Sequence, residues 1–281
     1  MRHFLLTGLL WLFLVCTLTA CETLQELGLG SDSAEDKDEY KGWDAKKFYD
    51  TAKEAMDDGN YKKAVQLYEQ LESRFPFGEY ASQAQLDVGY AYYKNGDAEA
   101  ALAAADRFIK INPRDPHVDY AYYLKGLVNF SRGFGFVDRY LPTDSSQRDQ
   151  NFAKEAYENF VELERRFPES RYAPDARQRL TALRNQLAKH EIHIARFYMK
   201  RKAYIAAIAR ANRVLEDYQR TPAVAEALQI LRETYHILGM DDLARDTQRV
   251  YEYNFPKGPP PEEENKSNWA YQIWDFIGLD E

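Results

Sequence analysis

The 281-residue chain is 45% hydrophobic and 29% charged, which is enough apolar material for a core and too much for a disordered chain. Its formal net charge is −8, and −9 once residues 1–20 with the single charge of Arg2 are removed, which excludes a basic nucleic-acid-binding surface as the dominant feature. The two cysteines, Cys16 and Cys21, provide no disulfide framework for a folded domain.

Residues 1–21 read as a targeting segment. Arg2 gives a short positive start, residues 4–15 are apolar, and Leu18-Thr19-Ala20-Cys21 follows. Those four residues resemble the lipobox of bacterial lipoproteins. The resemblance implies removal of residues 1–20 as a signal peptide and acylation of Cys21, the new N-terminus. An ordinary secretory signal or a short membrane anchor is the alternative, but the apolar run is short for a membrane-spanning helix. Several acyl chains at one residue anchor stably, each buried methylene contributing roughly 0.8 kcal/mol. Glu22 after the cysteine, where aspartate commonly favours inner-membrane retention, implies sorting to the outer membrane. Residues 21–43, polar and charged, read as a flexible tether between lipid and folded body.

The organising unit begins at Asp44. In residues 44–76, Phe48, Ala52, Ala55 and Met56 recur at helical spacing, Gly59-Asn60-Tyr61 makes a turn, and Ala64, Tyr68 and Leu71 mark a second helix closed by Pro76. The frame returns 37 residues later with Gly89, Tyr92, turn Gly96-Asp97, Ala101, Phe108 and Pro113. A third copy carries Tyr122, Gly126 and Asn129, then Ala156, Phe160, Leu163 and Pro168. The fourth has Ala195, Tyr198, turn Lys202-Ala203-Tyr204, Ala207, Ala211 and Val214, with Gln219 in place of proline. The fifth runs through Leu228, Leu231, Tyr235, turn Gly239-Met240, Ala244, Tyr251 and Pro256. These units resemble the tetratricopeptide repeat, a helix-turn-helix of about 34 residues. The expected fold is all-α, a right-handed α-solenoid of about five repeats, with repeats one to three in residues 44–170 and repeats four and five in residues 171–256. Asp115-Pro116 and Thr221-Pro222 read as an N-cap followed by a proline at the first helical position.

Two departures from the frame stand out. Residues 132–149 lengthen the turn of repeat three, and Phe134, Phe136 and Tyr140 argue for an ordered rather than a floppy insertion. Residues 175–201 contain neither proline nor glycine and predict one long first helix for repeat four. Beyond Pro256 the pattern stops. Residues 257–281 form a Pro/Glu spacer followed by Trp269, Tyr271, Ile273, Trp274, Phe276 and Ile277, either a capping helix folded back on repeat five or a short partner-binding helix.

No catalytic constellation is recognisable, and the chain reads as a non-enzyme without cofactor or metal. His190 and His193 lie three apart but lack a third ligand and the H-E-x-x-H pattern. Gly133 and Gly135 lack the third glycine of a dinucleotide site, and there is no G-x-S-x-G or phosphate-binding loop. The first helices suggest a binding face instead. Repeat one offers Lys46, Tyr49, Lys53 and Met56; repeat two Leu86, Tyr90, Tyr93 and Lys94; repeat three Tyr120, Tyr123, Leu127 and Phe130. This is an aromatic groove edged with lysines, suited to an extended peptide with aromatic side chains and a free carboxylate. Interhelix packing of the same tyrosines is the competing reading.

Together, the lipobox, the five repeats, the F-G-F-V-D-R insertion with Arg148-Asp149, and the run R-L-x-x-L-R-x-x-L-A-K-H-E at residues 179–191 resemble the BamD (ComL) family. The resemblance spans nearly the whole mature chain except the C-terminal tail. It implies a lipoprotein on the periplasmic face of the outer membrane, part of the β-barrel assembly machine with BamA and other Bam lipoproteins. Repeats four and five would hold the last POTRA domain of BamA. Repeats one to three would receive unfolded outer-membrane proteins, whose final strand commonly ends in an aromatic residue. By the same resemblance Arg210 would dock BamA, with Arg213, Lys200 and Arg201 adding local positive charge. A tetratricopeptide scaffold for another envelope machine, in secretin assembly or cell division, is the alternative.

Overall fold

A computed structural model describes residues 40–133, 146 and 149–259. The expected lipidation site Cys21, the aromatic residues Phe134, Phe136 and Tyr140 of the insertion, and the tail beyond Pro259 lie outside these residues. Ten helices and no strand occur among the described residues, paired as five helical hairpins. Repeat one comprises α1 (Ala45–Asp57) and α2 (Tyr61–Arg74); repeat two α3 (Ala81–Lys94) and α4 (Ala98–Ile111); repeat three α5 (Val118–Gly133) and α6 (Asn151–Arg166). Repeat four comprises α7 (Ala173–Lys200) and α8 (Tyr204–Asp217), and repeat five α9 (Ala223–Ile237) and α10 (Asp241–Asn254). Each helix packs against the next, and α3 also meets α5, as α7 meets α9, so the chain stacks as the expected solenoid.

The repeated small residues explain the close pairing. Ala64, Ala101, Ala156 and Ala207 are fully buried and Ala244 nearly so, each admitting its partner helix at short range. Phe48, Tyr68, Phe108 and Phe160 are also buried and fill the space between neighbours. Gly126 is required where α5 crosses α6, because a Cβ there would collide with the Phe160 ring. At Gly89 the nearest atom to such a Cβ is Leu124 Cδ2 at 3.1 Å, a tight but softer contact.

Four hairpins share one turn. The N–H groups of Asn60, Asp97, Ala203 and Met240 donate to the carbonyls five residues earlier, of Ala55, Tyr92, Tyr198 and Tyr235. The turn needs a left-handed residue, and Gly59, Gly96 and Gly239 supply it at φ +73°, +83° and +71°. In repeat four Lys202 adopts the same conformation at φ 57°. Asn60 and Asp97 also cap the following helix, their side chains accepting from the N–H groups of Lys63 and Ala100. The two expected proline caps are displaced by a residue or two. Helix α5 starts at Val118, after Asp115 has accepted the His117 N–H at 2.8 Å. Pro222 itself is the N-cap of α9, and Thr221 Oγ1 donates to the Tyr218 carbonyl instead of capping.

The long helix predicted for residues 175–201 is α7, 28 residues from Ala173 to Lys200. Its first half buries Leu180, Leu183 and Leu187 with α5 and α6. Its second half buries Ala188, Ile192 and Ala195 with α8 and α9. One rigid element therefore joins the two ends of the solenoid. At its middle, Gln186 Nε2 donates to Gln150 Oε1 (2.8 Å) and His190 Nδ1 donates to the Ser146 carbonyl (2.6 Å), tying down the C-terminal root of the insertion.

Candidate functional site: a tyrosine ribbon and a shared carboxylate

The residues proposed for the groove divide between surface and core. Tyr49, Tyr90, Tyr93, Lys94 and Tyr120 are half-buried and Lys53 is exposed, whereas Leu86, Tyr123, Leu127 and Phe130 are buried. Tyr123 stacks on Tyr172 with ring centroids 4.7 Å apart, and its hydroxyl donates to Asp175 at 2.7 Å. Phe130 packs edge-on against Phe160 and lies under the Arg179 guanidinium, 4.8 Å from the ring centroid. These two aromatics thus form the floor of the ribbon, and the half-buried tyrosines are its surface.

At the N-terminal end, Tyr49 stacks on Tyr80 at 5.1 Å. Its hydroxyl donates to Asp87 (2.9 Å), which also accepts from Gln83 Nε2 (2.8 Å) and Tyr68 (3.5 Å). Tyr90 lies 6.1 Å from Tyr93 in the middle, and Tyr120 lies 5.3 Å from Tyr172 farther along. Burial pushes the Tyr90, Tyr93 and Tyr120 hydroxyls above the usual tyrosine range, so these phenols stay neutral at physiological pH. Lys94 sits over the Tyr61 ring at 5.4 Å, and Lys46 pairs with Asp50, so part of the expected lysine edge is already engaged.

Sequence reasoning gave Asp87 and Asp175 no role and placed Arg179 only at the head of the run at residues 179–191. Arg179 is 1% exposed, its Nε donates to Asp175 at 2.6 Å, and its buried Nη2 meets no hydrogen-bond acceptor among the described residues. Asp87 is pushed above the ordinary aspartate pKa, first by burial, against the hydrogen bonds from Gln83 and Tyr49 and the charge of Lys53. A raised carboxyl pKa means that folding disfavours the ionised form, a cost fully present above the raised pKa and absent below the ordinary value of about 3.9. Relative to its parent, Asp87→Asn is therefore expected to fare better at pH 7 than at pH 3, the amide giving up an acceptor but carrying no buried charge. A melting-temperature difference that did not move against the variant as pH falls through the raised pKa would contradict this.

At the other end, Arg210 and Arg213 on α8 converge on Glu191 of α7. Arg210 Nη1 lies 2.9 Å from Glu191 Oε2, and Arg213 Nη1 lies 3.5 Å from Oε1. The Glu191 side chain is 4% exposed, against 31% and 49% for the arginines. One buried carboxylate thus serves two guanidiniums, which leaves net positive charge facing outward. Next to it, the second half of α7 lines an open depression with His190, His193, Ile194, Phe197 and Lys200. Phe197 is half exposed and lies 5.1 Å from the Arg201 guanidinium. Among the described residues no group of three His, Cys, Asp or Glu side chains could hold a metal ion. No helix among them is long and apolar enough to cross a membrane.

Comparison with known proteins places this architecture. The family model described as "Outer membrane lipoprotein" (YfiO) matches residues 42–250, which spans all five hairpins up to the last turn of α10. Outer membrane protein assembly factor BamD from Neisseria meningitidis serogroup A is 44% identical over 259 residues, covering 92% of this chain and 93% of that protein. The BamD of Vibrio cholerae is 37% identical over 206 residues, covering 73% of this chain and 86% of its own. That of Pasteurella multocida is 33% identical over 237 residues, covering 84% and 86%. The chain belongs to the BamD family of outer membrane proteins assembly factors.

Proposed function

We propose that the chain is a non-enzymatic scaffold for the assembly of β-barrel proteins in the outer membrane, anchored on the periplasmic face through lipid at Cys21. Its relatives are named as outer membrane protein assembly factors, and the matching family is one of outer membrane lipoproteins. In this reading repeats one to three receive the unfolded client. Repeats four and five dock the last POTRA domain of BamA through the positive surface of Arg210 and Arg213, within a complex that includes other Bam lipoproteins.

The observation that carries the client-receiving half is the ribbon of half-buried tyrosines, Tyr49, Tyr90, Tyr93 and Tyr120, on the consecutive first helices α1, α3 and α5. Rings already fixed by packing lose little freedom when a second aromatic group lies against them. A neutral phenol such as that of Tyr90 can hydrogen-bond an extended backbone without the desolvation cost of a charge. Lys53, exposed beside Asp87, is the candidate partner for a terminal carboxylate. A photoreactive residue at Tyr90 is expected to crosslink a peptide ending in Phe more than tenfold better than one ending in Ser, since losing a well-packed ring costs about 1.5 kcal/mol or more. Equal crosslinking of the two peptides would overturn the assignment.

A further inference from the structure

The turns that close the repeats share one backbone and differ in one residue. The N–H groups of Gly78, Asp115, Ser170 and Gly258 donate to the carbonyls of Phe75, Asn112, Phe167 and Phe255 at 3.0–3.2 Å. A proline fills the second position each time, as Pro76, Pro113, Pro168 and Pro256, and the third position is exposed. That third position holds Arg114, Glu169 and Lys257 after repeats two, three and five, and Arg220 follows Gln219 in repeat four. After repeat one it holds Phe77, which is 98% exposed. Nothing in such a turn requires an aromatic there, since the position accepts most residues. A second exception lies on the same edge, at the last residue of each second helix. Arg74, Arg166, Asp217 and Asn254 occupy it in four repeats, and Ile111, 58% exposed, in repeat two.

Phe77 and Ile111 thus put apolar surface on the closing turns of neighbouring repeats, where Pro76, Pro113 and Pro116 are also exposed. The start of α3 holds these turns together: Ser82 Oγ donates to Asp115 at 2.7 Å, and Asn112 Nδ2 donates to Gln85 Oε1 at 2.9 Å. Lys41, Lys47, Lys110 and Arg114 are exposed around them. Of the carboxylates nearby, Asp44 caps α1 and Asp115 accepts from Ser82 and the His117 N–H, while Glu79 is exposed. An apolar centre with basic flanks is set into an otherwise acidic chain. The N-terminal segment enters the body at this same edge. Arg74 Nη1, at the end of α2, donates to the Tyr40 carbonyl at 2.8 Å. Tyr40 and Trp43 pack on Phe48, whose ring centroid lies 6.3 Å from that of Phe75 in the Phe77 turn.

We infer that this edge rests on the membrane that holds the lipid anchor, Phe77 and Ile111 entering the headgroup region and Lys41, Lys47, Lys110 and Arg114 facing its phosphates. The inference rests on the anchorage through Cys21 proposed above. The described body begins at Tyr40, so this edge is the part of it nearest the anchor along the chain. Docking of a tethered edge is intramolecular, and a contact too weak to hold a free protein on a bilayer is enough. A phenylalanine standing in water gains by leaving it, and basic side chains beside it are drawn to anionic headgroups. Rings of the tyrosine ribbon are fixed by packing, as Tyr49 is on Tyr80, which suits a defined peptide. Phe77 is bare on nearly every side, which suits a fluid lipid surface.

Under that anchorage the mature chain has no free thiol, Cys16 leaving with the signal and Cys21 being acylated, so one introduced cysteine reports alone. Glu79→Cys, beside the Phe77 turn, carries an environment-sensitive nitrobenzoxadiazole dye on the full-length protein purified from membranes. In vesicles of phosphatidylethanolamine and phosphatidylglycerol its emission is expected to be blue-shifted and quenched by spin-labelled lipid. The same dye at Lys62→Cys, exposed at the opposite end of α2, should stay solvent-like. Phe77→Asp should lower the docked-to-free ratio roughly tenfold, the change expected when one phenylalanine side chain is no longer buried. Helical circular dichroism and co-flotation with the vesicles should not change, because Phe77 is exposed and the anchor is intact. Co-flotation without quenching at Glu79→Cys, quenching indifferent to Phe77→Asp, or equal quenching at Lys62→Cys would overturn the docking and leave the anchorage standing. Dye uptake by the chain without an added cysteine, or failure to float, would overturn the anchorage and the docking with it. A blue shift seen only on adding a peptide ending in Phe, or on concentrating the protein without vesicles, would assign the edge to a client or a second copy and overturn the docking too.

Discussion

Arg210→Glu is expected to weaken recovery of BamA by more than about thirty-fold, corresponding to roughly 2–5 kcal/mol for a truncated, hydrogen-bonded charge pair across an interface. The single substitution also has a cost inside the chain. It sets a second carboxylate against Glu191, whose side chain is 4% exposed, and leaves that buried charge with Arg213 at 3.5 Å as its remaining ion-pair partner among the described residues. Breaking the pair from one side is expected to destabilise the α7–α8 hairpin by about 2–3 kcal/mol, less than for a fully buried pair because Arg210 is partly exposed. Docking and folding are separated by the neutral double variant Glu191→Gln/Arg210→Gln. It removes the buried charge together with its partner, keeps an amide contact between α7 and α8, and should melt close to the parent. If Arg210 docks the partner, the double variant still fails to recover BamA. Glu191→Gln alone, which releases both guanidiniums, should retain it. Full recovery by the double variant would show that Arg210 acts only within the hairpin.

The largest expected loss of stability comes from Phe160→Ala. Phe160 is fully buried, its ring lies against Gly126, and Tyr123 and Phe130 surround it at centroid distances of 6.1 and 6.4 Å. Removing it opens a cavity at the α5–α6 crossing and should cost about 3–5 kcal/mol. At roughly 2–4 °C per kcal/mol for a chain of this size, the melting temperature should fall by about 10 °C. The same substitution withdraws support from Tyr123 and from the floor of the tyrosine ribbon, so peptide crosslinking at Tyr90 should weaken with it. Gly126→Ala approaches the contact from the other helix. Overpacking costs about 1–3 kcal/mol, partly offset by the better helix propensity of alanine. Because the two residues touch, Gly126→Ala should cost less in a Phe160→Leu background than alone. Additive losses would mean that the crossing relaxes freely and that glycine is not needed there.

These sites differ in how far they could be read from the amino-acid sequence. The hairpin frame was legible because it rests on side-chain size at fixed spacing: buried alanines, aromatic fillers and closing prolines recur wherever two helices must approach. The register of the binding face was less legible. Helix α5 is packed by α3, α4 and α6 together, so its buried stripe takes in Tyr123, Leu127 and Phe130 as well as the expected Gly126 and Asn129. When a helix is apolar over so much of its circumference, periodicity alone does not distinguish floor from rim. Buried charges were least legible. Arg179 and Glu191 lie in a helix rich in charged residues, where each reads as part of a solvated face, and only the three-dimensional packing shows them shut inside. The same holds for Arg210. The resemblance singled it out as a docking residue, and the structure adds a neighbouring carboxylate that any charge-reversal experiment must take into account.

The account's central claim is tested most directly by affinity recovery of the full-length protein from solubilised outer membranes, with identification of the barrel protein that accompanies it. A POTRA-containing barrel, BamA, should be recovered in near-stoichiometric amount, and its recovery should depend on Arg210 in the Glu191→Gln background. Recovery of a secretin or a cell-division complex in its place, with no POTRA-containing barrel, would contradict the account.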